Sequence, residues 1–353
     1  MSLFPEEPLD LSASDGFRYF PADINQALDN GRYTILRKLG WGPRSSMWIV
    51  QDTTEKRPDY CAVQIFMVGK TREVEEHLLH LLGSKRTWRA RLPRYQRVWL
   101  TVQRSPRGCG QSRPGSLPVH VVKYVAYQVL EVLVERLHHK KSLIMHSGIK
   151  LENIAFWPDT YKNALEIHLK DNPPATTQIA DGLPVVRSQP LANYTVDLDY
   201  PMSEVVEWDL LVTGFGHTPE TLLENPTCGL STDIWMLGCL VFHLFTGKPL
   251  FSSTGTAAER LAEVRDVLHG ISTIPDAWAM DGNVRALTNA TPSRPSLDQR
   301  LKEALSDDEA SPALEFLQMC LAFDPTARNS ADSLMLDDGT WVEEGGACSC
   351  GFH

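Results

Sequence analysis

From Tyr33 the chain alternates apolar and polar positions, and the alternation pauses at Leu39-Gly40-Trp41-Gly42-Pro43 before resuming towards Trp48, which predicts two short strands joined by a glycine-bearing hairpin. Cys61-Ala62-Val63-Gln64-Ile65-Phe66 reads as a further apolar strand with one polar position. Residues 73–82 place Leu78, Leu79 and Leu82 at helical spacing. Between 92 and 118 only 97–103 reads as a strand, because Ser105-Pro106-Arg107-Gly108 and Arg113-Pro114-Gly115 break the pattern. Beyond Pro118 the pattern becomes helical: Val122, Val125, Ala126, Val129, Leu130, Leu133 and Leu137 share one face of a long helix that leads into His146. After a short strand at 154–156, the polar, proline-rich stretch 157–201 reads as an insertion loop, and 209–213 as another strand. Ser231-Thr232-Asp233 then supply capping residues for an apolar core helix that stops near Gly247. Residues 1–31 lack periodicity and are expected to form an arm, laid on the body through Phe17, Tyr19 and Phe20.

The chain has 353 residues and is 42% hydrophobic, enough to bury a sizeable core in two domains or lobes. Its longest apolar run, 235–245, is interrupted by His243 and is too short to cross a bilayer, and the N-terminal Phe4-Pro5-Glu6-Glu7 is acidic rather than signal-like. The expectation is an intracellular protein, cytoplasmic or nuclear. Seven cysteines, at 61, 109, 228, 239, 320, 348 and 350, form no C-x-x-C pair, which argues against a disulfide framework and a zinc site. Cys350-Gly351-Phe352-His353 fits the outline of a prenylation box poorly, so 343–353 is read as a tail. A net charge of −10 gives no general attraction to nucleic acid or to an acidic membrane surface. The segment 85–113, whose charged residues are all basic, departs from that balance; it reads as a solvated loop in preference to an anion-binding or partner-binding stripe.

The candidate chemistry centres on His146-Ser147-Gly148-Ile149-Lys150-Leu151-Glu152-Asn153, which has the spacing H-x-D-x-K-x-x-N with Gly148 in place of the Asp. Gly214-Phe215-Gly216 matches D-F-G with Gly214 in place of the Asp, and after the single residue His217 comes Thr218-Pro219-Glu220, which matches A-P-E. Together with the Gly40–Gly42 hairpin, Asp233-Ile234-Trp235 and Asp324-Pro325-Thr326-Ala327-Arg328, these motifs resemble the protein-kinase superfamily, and within it the SR-protein kinases and their fungal relatives. The resemblance implies an α+β, two-lobed protein-kinase-like fold, with a small, β-rich but incomplete N-lobe at 32–118 and a larger, mainly helical C-lobe at 119–342 that contains the insertion.

The same resemblance implies ATP, magnesium and Ser/Thr protein substrates as the ancestral chemistry. Carried over residue by residue, Gly40 and Gly42 would cover phosphates, and Lys150 and Asn153 match catalytic-loop positions, Asn153 as a metal ligand. Glu75 stands where the helix carboxylate would pair with the phosphate-binding Lys, but that position is Gln64; the base position is Gly148 and the metal Asp position is Gly214. Glu220 and Arg328 match a structural ion pair, and Asp233 a structural position of the core helix. ATP and magnesium binding is therefore expected to be weak or absent. The leading expectation is a pseudokinase that acts by binding a protein partner. One alternative is an active Ser/Thr kinase in which Lys150, Glu152 or an insertion residue substitutes for the missing groups; another is a truncated or misassembled kinase chain without settled function.

Overall fold

The computed structural model describes residues 6–7, 9, 19–42, 45–53, 59–68, 116–140, 143, 145–146, 148–151, 154–157, 162–178, 184–189, 209–212, 222–223, 228–252, 254–287, 294–336 and 341–342. The chain divides into two compact units, one gathering Met1–Leu100 with Trp157–Tyr194, the other Thr101–Phe156 with Thr195–His353.

The first unit is built on an antiparallel sheet of four strands in sequence order: β1 (Ala27–Leu28), β2 (Tyr33–Gly42), β3 (Ser45–Asp52) and β4 (Asp59–Phe66). The alternation seen in the sequence separates its two faces. Ile35, Trp48 and Val50 pack on one side with Val63 and Ile65, while Leu39 and Ile49 pack on the other with Met47 and Tyr60. Tyr19 of the N-terminal arm is buried, as expected; Phe20 is 36% exposed, and Phe17 lies outside the described residues.

The insertion is not a loop throughout. It forms helix α2 (Lys162–Asp171), the second helix after α1 (Val119–Val132), and a hairpin of β6 (Thr176–Gln178) and β7 (Pro184–Val186), and it is gathered with the sheet rather than with the helical unit. Leu165 and Leu169, four apart, give α2 an apolar stripe that packs on the Leu39–Ile49 side, and Val186 packs on the opposite side. The density of prolines in the sequence hid this pattern: Pro173-Pro174 lies between the helix and the hairpin and punctuates them.

The second unit is mainly helical. Helix α1 (Val119–Val132) buries the predicted stripe, with Val122, Val125, Ala126, Val129 and Leu130 inaccessible to solvent. It continues as a π-turn over Leu133–Leu137, closed by the His138 amide donating to the Leu133 carbonyl. β5 (Ile154–Trp157) and β8 (Asp209–Val212) form a two-stranded sheet. The core helix α3 (Ser231–Thr246) is followed by α4 (Ala257–Val267), α5 (Gly282–Arg285), α6 (Leu297–Lys302), α7 (Asp307–Cys320) and α8 (Ala331–Leu336). Gly247 ends α3 in the left-handed conformation, φ 68°, as its position in the sequence predicts. The start of α3 differs from expectation: its N-cap is Leu230 without a side-chain hydrogen bond, and Thr232 Oγ1 accepts from the amide of Gly229 instead.

Helices α3 and α7 meet at Gly238. A Cβ placed there would lie 2.9 Å from Cys320 Cβ and 2.9 Å from Leu321 Cγ, closer than carbon atoms approach. Gly238→Ala should therefore destabilise the second unit by ~1–3 kcal/mol through overpacking, despite Ala's better helix propensity. Urea melts check this, and an unchanged or raised midpoint would show that α7 yields freely.

Candidate functional site

The catalytic-loop spacing begins at His146, and the residue that fixes it is Asp233 in the first turn of α3. Its carboxylate is fully buried and accepts the His146 amide at 2.7 Å and, with the imidazole protonated on Nε2, His138 at 2.9 Å. The polar first turn that suggested capping thus turns its carboxylate away from its own helix and towards the loop. The π-turn ending α1 delivers His138 to this carboxylate, a residue no motif singled out. Burial lowers the pKa of His146 below its ordinary value, with Asp233 opposing the shift, so the ring favours its neutral form. Gly148 and Ile149, just beyond, are buried, and Lys150 is exposed.

Arg328 is 6% exposed and tied into the unit by three carbonyls: Ala322 from Nε at 2.9 Å, Ser231 from Nη1 at 3.1 Å and Phe323 from Nη2 at 3.3 Å. Its guanidinium also sits 4.8 Å from the Trp235 ring centroid. Arg328→Ala is expected to cost ~3 kcal/mol, because buried acceptors lose a charged donor and the ring loses its cation. Arg328→Lys should recover little, since one ammonium cannot reach three divergent carbonyls. Denaturant melts test both, and a loss below ~1 kcal/mol for the alanine variant would contradict this account.

In the first unit, β2 and β3 carry the glycine-bearing hairpin. Nothing lies within 4 Å of a Cβ built on Gly40 or Gly42. The arm reaches this hairpin: Tyr19 Oη donates to the Gly42 carbonyl at 2.8 Å, and its ring meets Trp41 edge-on at 5.8 Å. Two residues before Gly40, Lys38 is fully buried. Its ammonium donates to Glu6 Oε2 at 2.8 Å, to Glu7 and to the Val186 carbonyl at 3.1 Å. Glu6 also accepts from the amide and hydroxyl of Ser188, each at 2.7 Å. Burial pushes both carboxyls up; at Glu6 the bonds from Lys38 and Ser188 outweigh it and leave the pKa lowered, whereas at Glu7 burial wins and the pKa is raised. Lys38 lowers both, so the split follows from the Ser188 bonds that only Glu6 receives and from the deeper burial of Glu7.

The expected site residues are therefore divided. Gly40 and Gly42 belong to the first unit, as does the backbone of Gln64, paired with Met47; Gly148, Lys150, Asp233 and Arg328 belong to the second. Glu75, Asn153, Gly214, Glu220, the Gln64 side chain and the basic segment 85–113 lie outside the described residues. Lys38, Glu6, Glu7 and His138 were not anticipated. A lysine within the β pattern two residues before Gly40 and an acidic pair in the arm were the signals available, but nothing local connects them. Among the described residues no group of three or more His, Cys, Asp and Glu could hold a metal ion. In the sequence, the positions expected to serve a magnesium nucleotide carry Gly148, Gly214 and Gln64.

Residues 201–338 match the family model of the protein kinase domain. The chain is 29% identical over 144 residues to a serine/threonine kinase NLK of Caenorhabditis elegans, covering 40% of this chain and 23% of that protein. It is 26% identical over 222 residues to the CTD kinase subunit alpha of Schizosaccharomyces pombe (62% and 31%), and 27% identical over 154 residues to the dual specificity protein kinase CLK2 of Mus musculus (43% and 27%). It thus spans about a quarter to a third of the length of these relatives. A crystal structure of a kinase domain superposes with a TM-score of 0.50 at 18% identity, covering 92% of this chain and 99% of that one. No helix among the described residues is long and apolar enough to cross a membrane. Residues 201–338 are thus similar to the protein kinase domain, and the chain shares the protein-kinase fold.

Proposed function

We propose that this chain is a catalytically impaired member of the protein-kinase superfamily that acts by binding another protein. The observation that carries the reading is the catalytic loop. Its frame persists, with the His146 amide held by buried Asp233 and Ile149 packed inside, yet the position two residues beyond His146 is a glycine. Glycine offers neither an acceptor for a substrate hydroxyl proton nor a negative charge, and general-base help is worth ~10²- to 10⁴-fold. Gln64 and Gly214 remove a phosphate-binding cation and a metal carboxylate as well. The partner reading is supported by a helical unit that keeps its buried polar anchors without the catalytic groups they would serve.

The test is transfer of radiolabelled phosphate from ATP to an Arg-Ser-rich peptide, by the unmodified chain and by the combination Gln64→Lys, Gly148→Asp and Gly214→Asp. Both are expected to stay at background. In the sequence one residue, His217, separates Gly216 from Thr218, which leaves no segment to hold a peptide in line with the γ-phosphate. Transfer by the unmodified chain would establish the alternative, an active Ser/Thr protein kinase. Transfer by the repaired chain alone would show that point losses, not the missing segment, silenced it.

A further inference from the structure

Antiparallel pairing fixes which positions share a face of the sheet in the first unit. Arg37 pairs with Ile49, Ile49 with Ala62 and Met47 with Gln64, so these positions lie on one side; Trp48 pairs with Val63 and belongs to the other. If Gln64 occupies the phosphate-facing position, a nucleotide would need the Met47–Ile49 side. That side is taken. Helix α2 buries Leu165, 4% exposed, against Leu39 and Ile49, with Leu169, Met47 and Tyr60 around them. Polar contacts fasten its flanks: Arg37 Nη1 lies 3.2 Å from His168 Nε2, the same guanidinium donates to the Asn172 carbonyl, and Tyr60 Oη donates to Glu166 Oε1 at 3.3 Å. A helix with its side chains is about 10–12 Å across, far thicker than a purine ring, so helix and nucleotide cannot occupy this surface together.

We infer that α2 is an internal plug: a segment of the chain's own insertion that covers the nucleotide-facing side of the sheet and competes with nucleotide for it. The inference rests on the family reading, which assigns that side. It adds a physical block to the loss of catalytic groups, and the block is reversible, because among the described residues α2 is held by side-chain contacts such as those of Leu165, Leu169, His168 and Glu166 and is not a strand of the sheet.

Four full-length proteins test this: the unmodified chain, Gln64→Lys, the pair Leu165→Asp with Leu169→Asp, and all three changes together. ATP affinity is measured by calorimetry, and attachment of α2 by hydrogen exchange of its amides. Gln64→Lys alone should leave ATP binding no tighter than about millimolar, while adding the two aspartates should speed exchange over 162–171 and tighten binding at least about tenfold. Equal affinity with and without the aspartates, in proteins whose α2 exchange has risen, would overturn the plug; so would submillimolar binding by Gln64→Lys with α2 still protected. Should the aspartates prevent folding, the Leu165→Ala and Leu169→Ala pair must give the same direction of change, and no gain there overturns the inference equally. Because neither readout involves phosphate transfer, the plug can fail while the non-catalytic reading stands, and transfer by the unmodified chain would sink that reading whatever α2 does.

Discussion

Asp233→Ala should destabilise the second unit by ~3 kcal/mol or more, the largest single loss expected among its described side chains. The carboxylate has no solvent exposure, and it is the acceptor for a backbone amide at 2.7 Å and an imidazole at 2.9 Å from two other parts of the chain. Removing it takes a buried acceptor from both donors, and each unsatisfied buried donor costs ~1–3 kcal/mol. Asp233→Asn keeps the volume and one acceptor oxygen, and should lose roughly half as much as Ala because the amide nitrogen would then face one of two donors. Urea unfolding followed by tryptophan fluorescence is suited to the test, since Trp235 lies two residues away and stacks on Phe251 at 5.5 Å. Equal losses for Ala and Asn would mean that charge matters rather than the two bonds, and a loss below ~1 kcal/mol for Ala would mean that the loop at 146 holds itself without α3.

Lys38→Met is expected to release the N-terminal arm. The ammonium is the shared cation of Glu6 and Glu7, and all three side chains are buried. Leaving an acid buried without its cation costs ~3–5 kcal/mol, so the acidic pair should leave for water. The neutral thioether can stay and pack against Trp48, whose ring the ammonium faces at 5.8 Å, so the sheet itself should persist. Hydrogen exchange should then rise at Glu7, at Tyr19 and at Ser188, whose amide donates to Glu6. Adding Glu6→Gln and Glu7→Gln should restore protection in part, because neutral amides tolerate burial better than orphaned carboxylates. An arm as well protected in Lys38→Met as in the unmodified chain would show that Tyr19 and its bond to Gly42 suffice to hold it.

Much of this fold is legible in the amino-acid sequence. The α1 stripe, the end of α3 at Gly247, the strands flanking Gly40 and Gly42, and the strand bearing Gln64 all follow from local signals: apolar period, a glycine able to adopt φ 68°, and turn residues between β-branched and aromatic runs. The resemblance to protein kinases came from short motifs, each local, met in order along the chain. The polar interior could not be read this way. Asp233 looks like a capping residue because its neighbours in sequence are helix-start residues, and only the folded chain sets the His146 amide and His138 against it. Lys38 sits in a strand where a solvated lysine would be ordinary, and its partners lie 31 and 32 residues before it and 148 after it. Helix α2 was hidden because two leucines in a polar, proline-flanked stretch provide too little stripe for a free-standing helix. The sheet supplies the apolar surface that stabilises it, and that surface exists only after β2, β3 and β4 have paired. Local periodicity thus determined the sheet strands and the core helices α1 and α3, whereas long-range packing decided that part of the insertion becomes helix α2, which charges are buried and which side of the sheet the chain covers.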